Sequence, residues 1–173
     1  AAGIDVPNTA LINFKGGHSV RSEWLPNPKT HKSNTATISP PLKGNKQLQE
    51  GFLVDALLAN WDVVGQNFDN IVESDKKFYR VDQGGALNLR AQGKEKTDFH
   101  TWSSKYIGEL DSMTSDAEAP QASQAFASMS EDTMLAAANK LYKLTDSKIS
   151  ELVDASGLPP KQMDAMANTL IKR

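Results

Sequence analysis

Between Asn45 and Asn60 the apolar residues Leu48, Phe52, Val54, Ala56, Leu57 and Leu58 recur at helical spacing, and the central turns are apolar almost all round. Such a helix cannot lie on a surface and has to be covered by its neighbours. The flanking segments must therefore supply the covering layers. With 173 residues, 39% of them hydrophobic, the chain can bury a core of that kind.

On the N-terminal side, Thr9–Phe14 is short and apolar and is closed by Lys15-Gly16-Gly17, with His18–Trp24 directly after it. Two β-prone runs around a Gly-Gly turn predict a hairpin. Residues 25–44 carry Pro26, Pro28, Pro40 and Pro41 among Ser, Thr, Asn and Lys, which predicts a flexible loop with no packed element. After the buried helix, residues 61–68 break the periodicity. Asn70-Ile71-Val72 and Phe78–Val81, joined by the polar Glu73–Lys77, then predict a second hairpin that ends at Asp82-Gln83-Gly84-Gly85.

Beyond Phe99 the chain reads as helix. Trp102, Tyr106, Ile107 and Leu110 begin it, a polar Ala/Ser-rich stretch follows over 114–129, and Ser130 caps the next helix. Ile149, Leu152 and Val153 mark another, stopping at Gly157, and Pro159-Pro160 opens the last, with Met163, Met166, Ala167, Leu170 and Ile171 on one face. Two short hairpins with helices around and after them make an α+β chain, mostly α.

Several function classes are excluded. The absence of cysteine removes disulfide frameworks, thiolate nucleophiles and cysteine-ligated metals, and it fits a bacterial cytoplasmic protein and a secreted effector equally. A net charge of −2 argues against a nucleic-acid module held by bulk charge. No apolar stretch has the length of a transmembrane segment. His18, His31 and His100 lack zinc-ligand spacing, Gly16-Gly17 lacks the Lys-Ser/Thr of a phosphate loop, and no Gly-x-Ser-x-Gly is present. Ala1-Ala2-Gly3, without an initiating Met, reads as the frayed end of an upstream helix and predicts that the chain is a fragment, with a processed mature N-terminus as the alternative.

The residues that carry chemistry lie in Asn60-Trp61-Asp62-Val63-Val64-Gly65-Gln66-Asn67-Phe68-Asp69-Asn70-Ile71 and in Tyr79-Arg80-Val81-Asp82-Gln83-Gly84-Gly85. Asp62 follows the buried helix, Asn70 enters one strand and Asp82 leaves its partner. Asn70 and Asp82 are twelve positions apart, and the hairpin between them returns both to the same end of the sheet. Asp62 can orient or deprotonate a hydroxyl, and Asn70 and Asp82 offer oxygen ligands to a hard cation. This is the plan of a phosphoryl-transfer site, where positioning and metal-ion charge do most of the work.

At these residues the chain resembles the C-terminal lobe of protein-kinase-like folds, in particular the atypical HipA-type and phosphatidylinositol-kinase-like branch. Asn60-Trp61-Asp62 resembles the Asn-x-Asp catalytic loop, Asp69-Asn70-Ile71 the end of that loop in lipid kinases, and Asp82-Gln83-Gly84 an Asp-Phe-Gly metal motif with Phe replaced. The resemblance implies that Asp62 is catalytic, that Asn70 and Asp82 hold Mg²⁺ (or Mn²⁺), and that Ser22, Glu23 and Trp24 form the hinge that meets the adenine of ATP. Asp62 and Asn70 are eight residues apart, where the family has five, and Asn67 at the family's spacing is the rival ligand. Leu89-Arg90-Ala91-Gln92-Gly93 occupies the place of the activation segment.

On this resemblance residues 1–24 are the end of an N-lobe with a hinge-like hairpin, 25–44 a flexible loop and 45–173 the kinase-like C-lobe, with the N-lobe largely absent from the chain. The implied function is an ATP/Mg-dependent phosphotransferase. Its partners are a nucleotide, an N-lobe segment of the same gene product, and an acceptor that is protein, lipid or small molecule. A non-catalytic, pseudokinase-like nucleotide-binding or interaction module is the alternative, and a structural or virion-associated domain is a third reading.

Overall fold

The computed structural model of the protein describes residues 2–14, 17–90, 94–96 and 102–173. The hairpin tip Lys15-Gly16, together with Ala1, Ala91-Gln92-Gly93, Phe99 and His100 named above, lies outside the described residues.

The first hairpin pairs β1 (Thr9–Phe14) with β2 (Gly17–Ser22), antiparallel, with Thr9 opposite Ser22 and Phe14 opposite Gly17. The second pairs β4 (Ile71–Ser74) with β5 (Lys77–Arg80) across Asp75 and Lys76, whose φ angles are 49° and 63°. Two successive left-handed residues make a turn whose twist matches that of the strands.

Residues 25–44, expected to form a loop with no packed element, contribute one. β3 (Lys29–Thr30) adds to β4 and makes a second sheet of order β3-β4-β5, and Leu25, Ile38 and Leu42 are buried. The prolines interrupt regular structure without preventing single apolar residues from reaching the core. On the other side of this sheet, the Arg80 amide donates to the Asp5 carbonyl at 3.0 Å, so the N-terminal segment runs along β5.

The buried helix is present but broken. α1 (Lys46–Gln49) and α2 (Phe52–Leu57) are separated at Gly51, where any Cβ would collide with the Arg80 guanidinium. That guanidinium donates to the Leu48 carbonyl at 2.8 Å and to the Asp55 carboxylate at 2.7–2.9 Å. Arg80 and Asp55 are each 3% exposed, so a fully buried ion pair occupies the place where a continuous helix was expected.

Beyond residue 99 the chain is not helical throughout, because 102–107 form no helix. The helices that follow are α3 (Glu109–Ser112), α4 (Pro120–Phe126), α5 (Glu131–Leu141), α6 (Asp146–Asp154) and α7 (Pro160–Lys172). α4 lies inside the Ala/Ser-rich stretch. Ser130 caps α5 by accepting the Thr133 amide at 3.2 Å, and Pro160 opens α7.

Two clusters make the core. One joins Leu42, Leu48, Phe52, Val63, Val64, Phe68, Ile71 and Met113 with the alanines and Phe126 of α4. The other joins Leu57 with Ile149, Val153 and Leu170, with Trp102 and Met166 packed against it. α2 contributes to both, as an all-round apolar helix must. The architecture is α+β and mostly helical, with two small sheets. Among the described residues no helix is long and apolar enough to cross a membrane.

Candidate functional site

Residues 60–70 leave α2 as a loop whose Val63, Val64 and Phe68 side chains are buried in the first core cluster, with Trp61 partly buried against it. With those side chains pointing inward, the polar residues between them are presented at the end of the β3-β4-β5 sheet. Gly65 sits at φ 76°, and a Cβ there would come within 2.6 Å of the Asp69 carboxylate and 3.0 Å of the Asn70 amide. Only glycine lets the loop close this tightly.

The structure brings Asp62, Asn70 and Asp82 to one place. Asn70 is buried, and its Nδ2 donates to the Asp62 carbonyl at 2.8 Å. With the amide nitrogen so used, Oδ1 is the atom that remains as a ligand. The Val81 amide donates to the Asn70 carbonyl at 2.9 Å, which extends the β4–β5 ladder and sets Asp82 next to the loop. Asp62 is half-buried, and its carboxyl is pushed up to about 6 by burial first and then by the charges of Asp82 and Asp69. Asp82 is exposed, in the left-handed region at φ 50°.

Asn67 lies elsewhere. It is exposed, its carbonyl accepts the Ser33 amide at 2.8 Å, and it lines with Asp62 a cavity to which neither Asn70 nor Asp82 contributes. Ser22 and Glu23 end the first hairpin, away from Asp62, and the Glu23 amide already donates to the Asn8 carbonyl at 2.8 Å. The Glu23 carboxylate accepts from Asn8 Nδ2 at 2.7 Å, and Asn8 accordingly holds its pKa below the usual value. Trp24 is 87% exposed.

A cleft nonetheless joins the two ends. Pro7, Ser22, Glu23, Trp24, Leu25 and Val72 line a mainly apolar hollow of about 370 Å³ between the first hairpin and the second sheet. An adjoining one of about 580 Å³ shares Pro7, Ser22 and Val81 and runs on to Asp82, Gln83 and Gly84. Ser22 thus lies in the same hollow as Asp82, Glu23 and Trp24 lie in the adjoining one, and Asn70 lines neither.

Three contacts that brace the site have no motif in the sequence. Asn60 Nδ2 donates to Gln83 Oε1 at 2.7 Å and ties the segment after Asp82 to the loop before Asp62. Buried Lys96 donates to the carbonyls of Ala59 and Leu87 at 2.6 and 2.5 Å, and burial lowers its pKa to about 8. Ala59, Phe68, Asp82 and Leu87 all have φ between 50° and 59°, which is costly for residues with a Cβ. A polar residue in place of the Phe of the metal motif was the one signal that could have pointed to Gln83.

Asn70 and Asp82 are the residues of this set that could hold a divalent cation. Asn70 Oδ1 and the Asp82 carboxylate are hard oxygen donors, and the acids gathered there are mutually repulsive without a counter-charge. Among the described residues no three His, Cys, Asp or Glu side chains converge as a ligand group, so protein oxygens alone would not complete an octahedron. Known proteins supply no parallel: no protein-family model, curated protein or solved structure matches the chain.

Proposed function

We propose that the chain is the catalytic half of an atypical, HipA/lipid-kinase-like phosphotransferase that uses ATP with Mg²⁺ or Mn²⁺. The observation that carries this reading is the hydrogen bond from Asn70 Nδ2 to the Asp62 carbonyl, with Asp82 beside it at the mouth of the apolar groove. One short bond orients the amide oxygen of Asn70 and the peptide that carries Asp62 together, which is the positioning phosphoryl transfer needs.

In this reading the base of the nucleotide lies in the groove against Leu25, Val72 and Trp24, and its phosphates run toward Asp82. The bound cation, held by Asn70 and Asp82, supplies charge neutralisation for the phosphates. Asp62 orients the acceptor hydroxyl and takes its proton. The Glu23 amide is satisfied by Asn8, so the polar contacts of the base fall to other groups at that end of the groove. This reading also requires a phosphate-covering element with a Gly-rich loop and a strand Lys.

The eight-residue interval from Asp62 to Asn70 favours a second reading, a non-catalytic nucleotide-binding module with the same groove. Mg²⁺·ATP binding to the chain, measured by calorimetry, separates these cases together with phosphate transfer by the full-length gene product. Asp82→Asn is expected to weaken Mg²⁺·ATP binding roughly tenfold or more, and Asp62→Asn to leave binding in place and remove transfer. Binding and transfer both indifferent to Asp82→Asn remove the metal assignment, and binding without transfer selects the second reading.

A further inference from the structure

On the side of Asp62 occupied by Asn67 there is a cavity of about 300 Å³ that the reading above leaves unused. Trp61 and Asp62 form one wall, Gln66 and Asn67 a second, and Glu118 and Gln121 a third, at the start of α4. Two carboxylates and three amides line this space, and among the described residues no Lys, Arg or His is part of the lining. The charge of Asp69 also bears on Asp62, and the lysine near it, Lys32, stands 4.0 Å from Asp69 and outside the lining.

This composition selects by charge. A phosphorylated or carboxylated ligand would bring negative charge against Asp62 and Glu118 with no cation in the lining to receive it. An ammonium group is matched by those two carboxylates, and the amides of Gln66, Asn67 and Gln121 each offer donors and an acceptor to hydroxyls. The volume stands at the small end of ligand cavities and suits a molecule of monosaccharide size.

We infer that this cavity binds a small hydroxylated amine and, resting on the phosphotransferase reading, that this amine is the phosphoryl acceptor. Its hydroxyl lies at Asp62, the residue of this lining on which the charge of Asp82, at the end of the groove, bears. The hydroxyl oxygen bonds to the γ-phosphorus of the nucleoside triphosphate while the bond from that phosphorus to the β–γ bridging oxygen breaks. The bridging oxygen keeps the electron pair and leaves on the nucleoside diphosphate, and the hydroxyl proton passes to the Asp62 carboxylate. Of the acceptors the sequence leaves open, a phosphoinositide headgroup is the one this lining rejects.

The test is a heteronuclear NMR titration of the 173-residue chain with glucosamine, myo-inositol and inositol monophosphate, read at the Trp61 indole N–H. Glucosamine is expected to shift that signal saturably, myo-inositol more weakly, and inositol monophosphate not at all. Glu118→Gln should weaken glucosamine about two- to fivefold, and Glu118→Lys roughly tenfold, with circular dichroism showing that each variant is folded. An inositol monophosphate affinity equal to that for glucosamine overturns the inference. So does the lack of a saturable glucosamine shift, or a folded Glu118→Lys variant that binds as the parent does. A parallel Mg²⁺·ATP titration of the parent and Asp82→Asn isolates the underlying reading. If glucosamine binds but nucleotide does not, phosphotransfer falls and the ligand class of the cavity stands.

Discussion

The hairpins Thr9–Ser22 and Ile71–Arg80 are both short antiparallel pairs around a tight connection, yet they end in different surroundings. β4 and β5 bury Ile71, Val72, Ser74 and Arg80, with β3 along one side and the Asp5 segment along the other. β1 and β2 form a sheet of their own, on which Leu11 and Val20 are 48% and 72% exposed. Leu11 does reach Gly157, between α6 and α7, so the hairpin touches the helical end there. The difference teaches that the second hairpin is held by its neighbours and so can carry atoms that must stay in place. The first is held mainly by its own ladder, and a two-stranded sheet alone is only marginally stable.

The largest effect expected from breaking this contrast is at Arg80. Arg80→Met leaves the Asp55 carboxylate buried without its partner and is expected to cost about 3–5 kcal/mol in urea denaturation. Adding Asp55→Leu should recover much of the loss. If the double variant is no more stable than the single one, the ion pair does not hold β5 to α2.

A pair of truncations sharpens the contrast directly. Ile71→Ala removes a fully buried side chain and is expected to cost about 2–4 kcal/mol. Val20→Ala on the first hairpin should stay within roughly 0.5 kcal/mol. Equal losses would mean that the first hairpin is covered in solution.

The smallest effect concerns pH. The Asp62 carboxyl titrates near 6 in the folded chain against an ordinary 3.8, so the folded state holds this proton more tightly than the unfolded one. Stability is therefore expected to fall as pH rises through the interval from about 4 to 6. Asp62→Asn removes the ionised form, and its melting temperature should exceed that of the parent above this interval and converge with it below. A melting difference that does not vary with pH would show that Asp62 is not the titrating group.

Much of this could be read before any coordinates were considered. The polar Glu73–Lys77 between β-prone runs announced β4 and β5, Ser130 announced the start of α5, and Pro159-Pro160 that of α7. These are local signals, since a turn, a cap and a fixed φ depend on residues a few positions apart. Gly51 was not legible as a break, because the group that needs the space belongs to Arg80, 29 positions later. Ile38 and Leu42 were hidden for a related reason. Isolated apolar residues among prolines have no period to detect, and only the core that receives them makes them part of the fold.

The same division runs through the site. Asp62, Asn70 and Asp82 could be chosen from residue type and spacing, because a hairpin returns its two ends to one place whatever surrounds it. The bond from Asn70 to the Asp62 carbonyl, the brace from Asn60 to Gln83 and the wall that Glu118 adds could not. By itself the sequence determined the two hairpins, the starts of α5 and α7, and which side chains carry charge or oxygen. Which of those charges face each other, and which cavities they line, only the tertiary structure decided, because contact between residues far apart in number is set by how the apolar faces pack and not by any local rule.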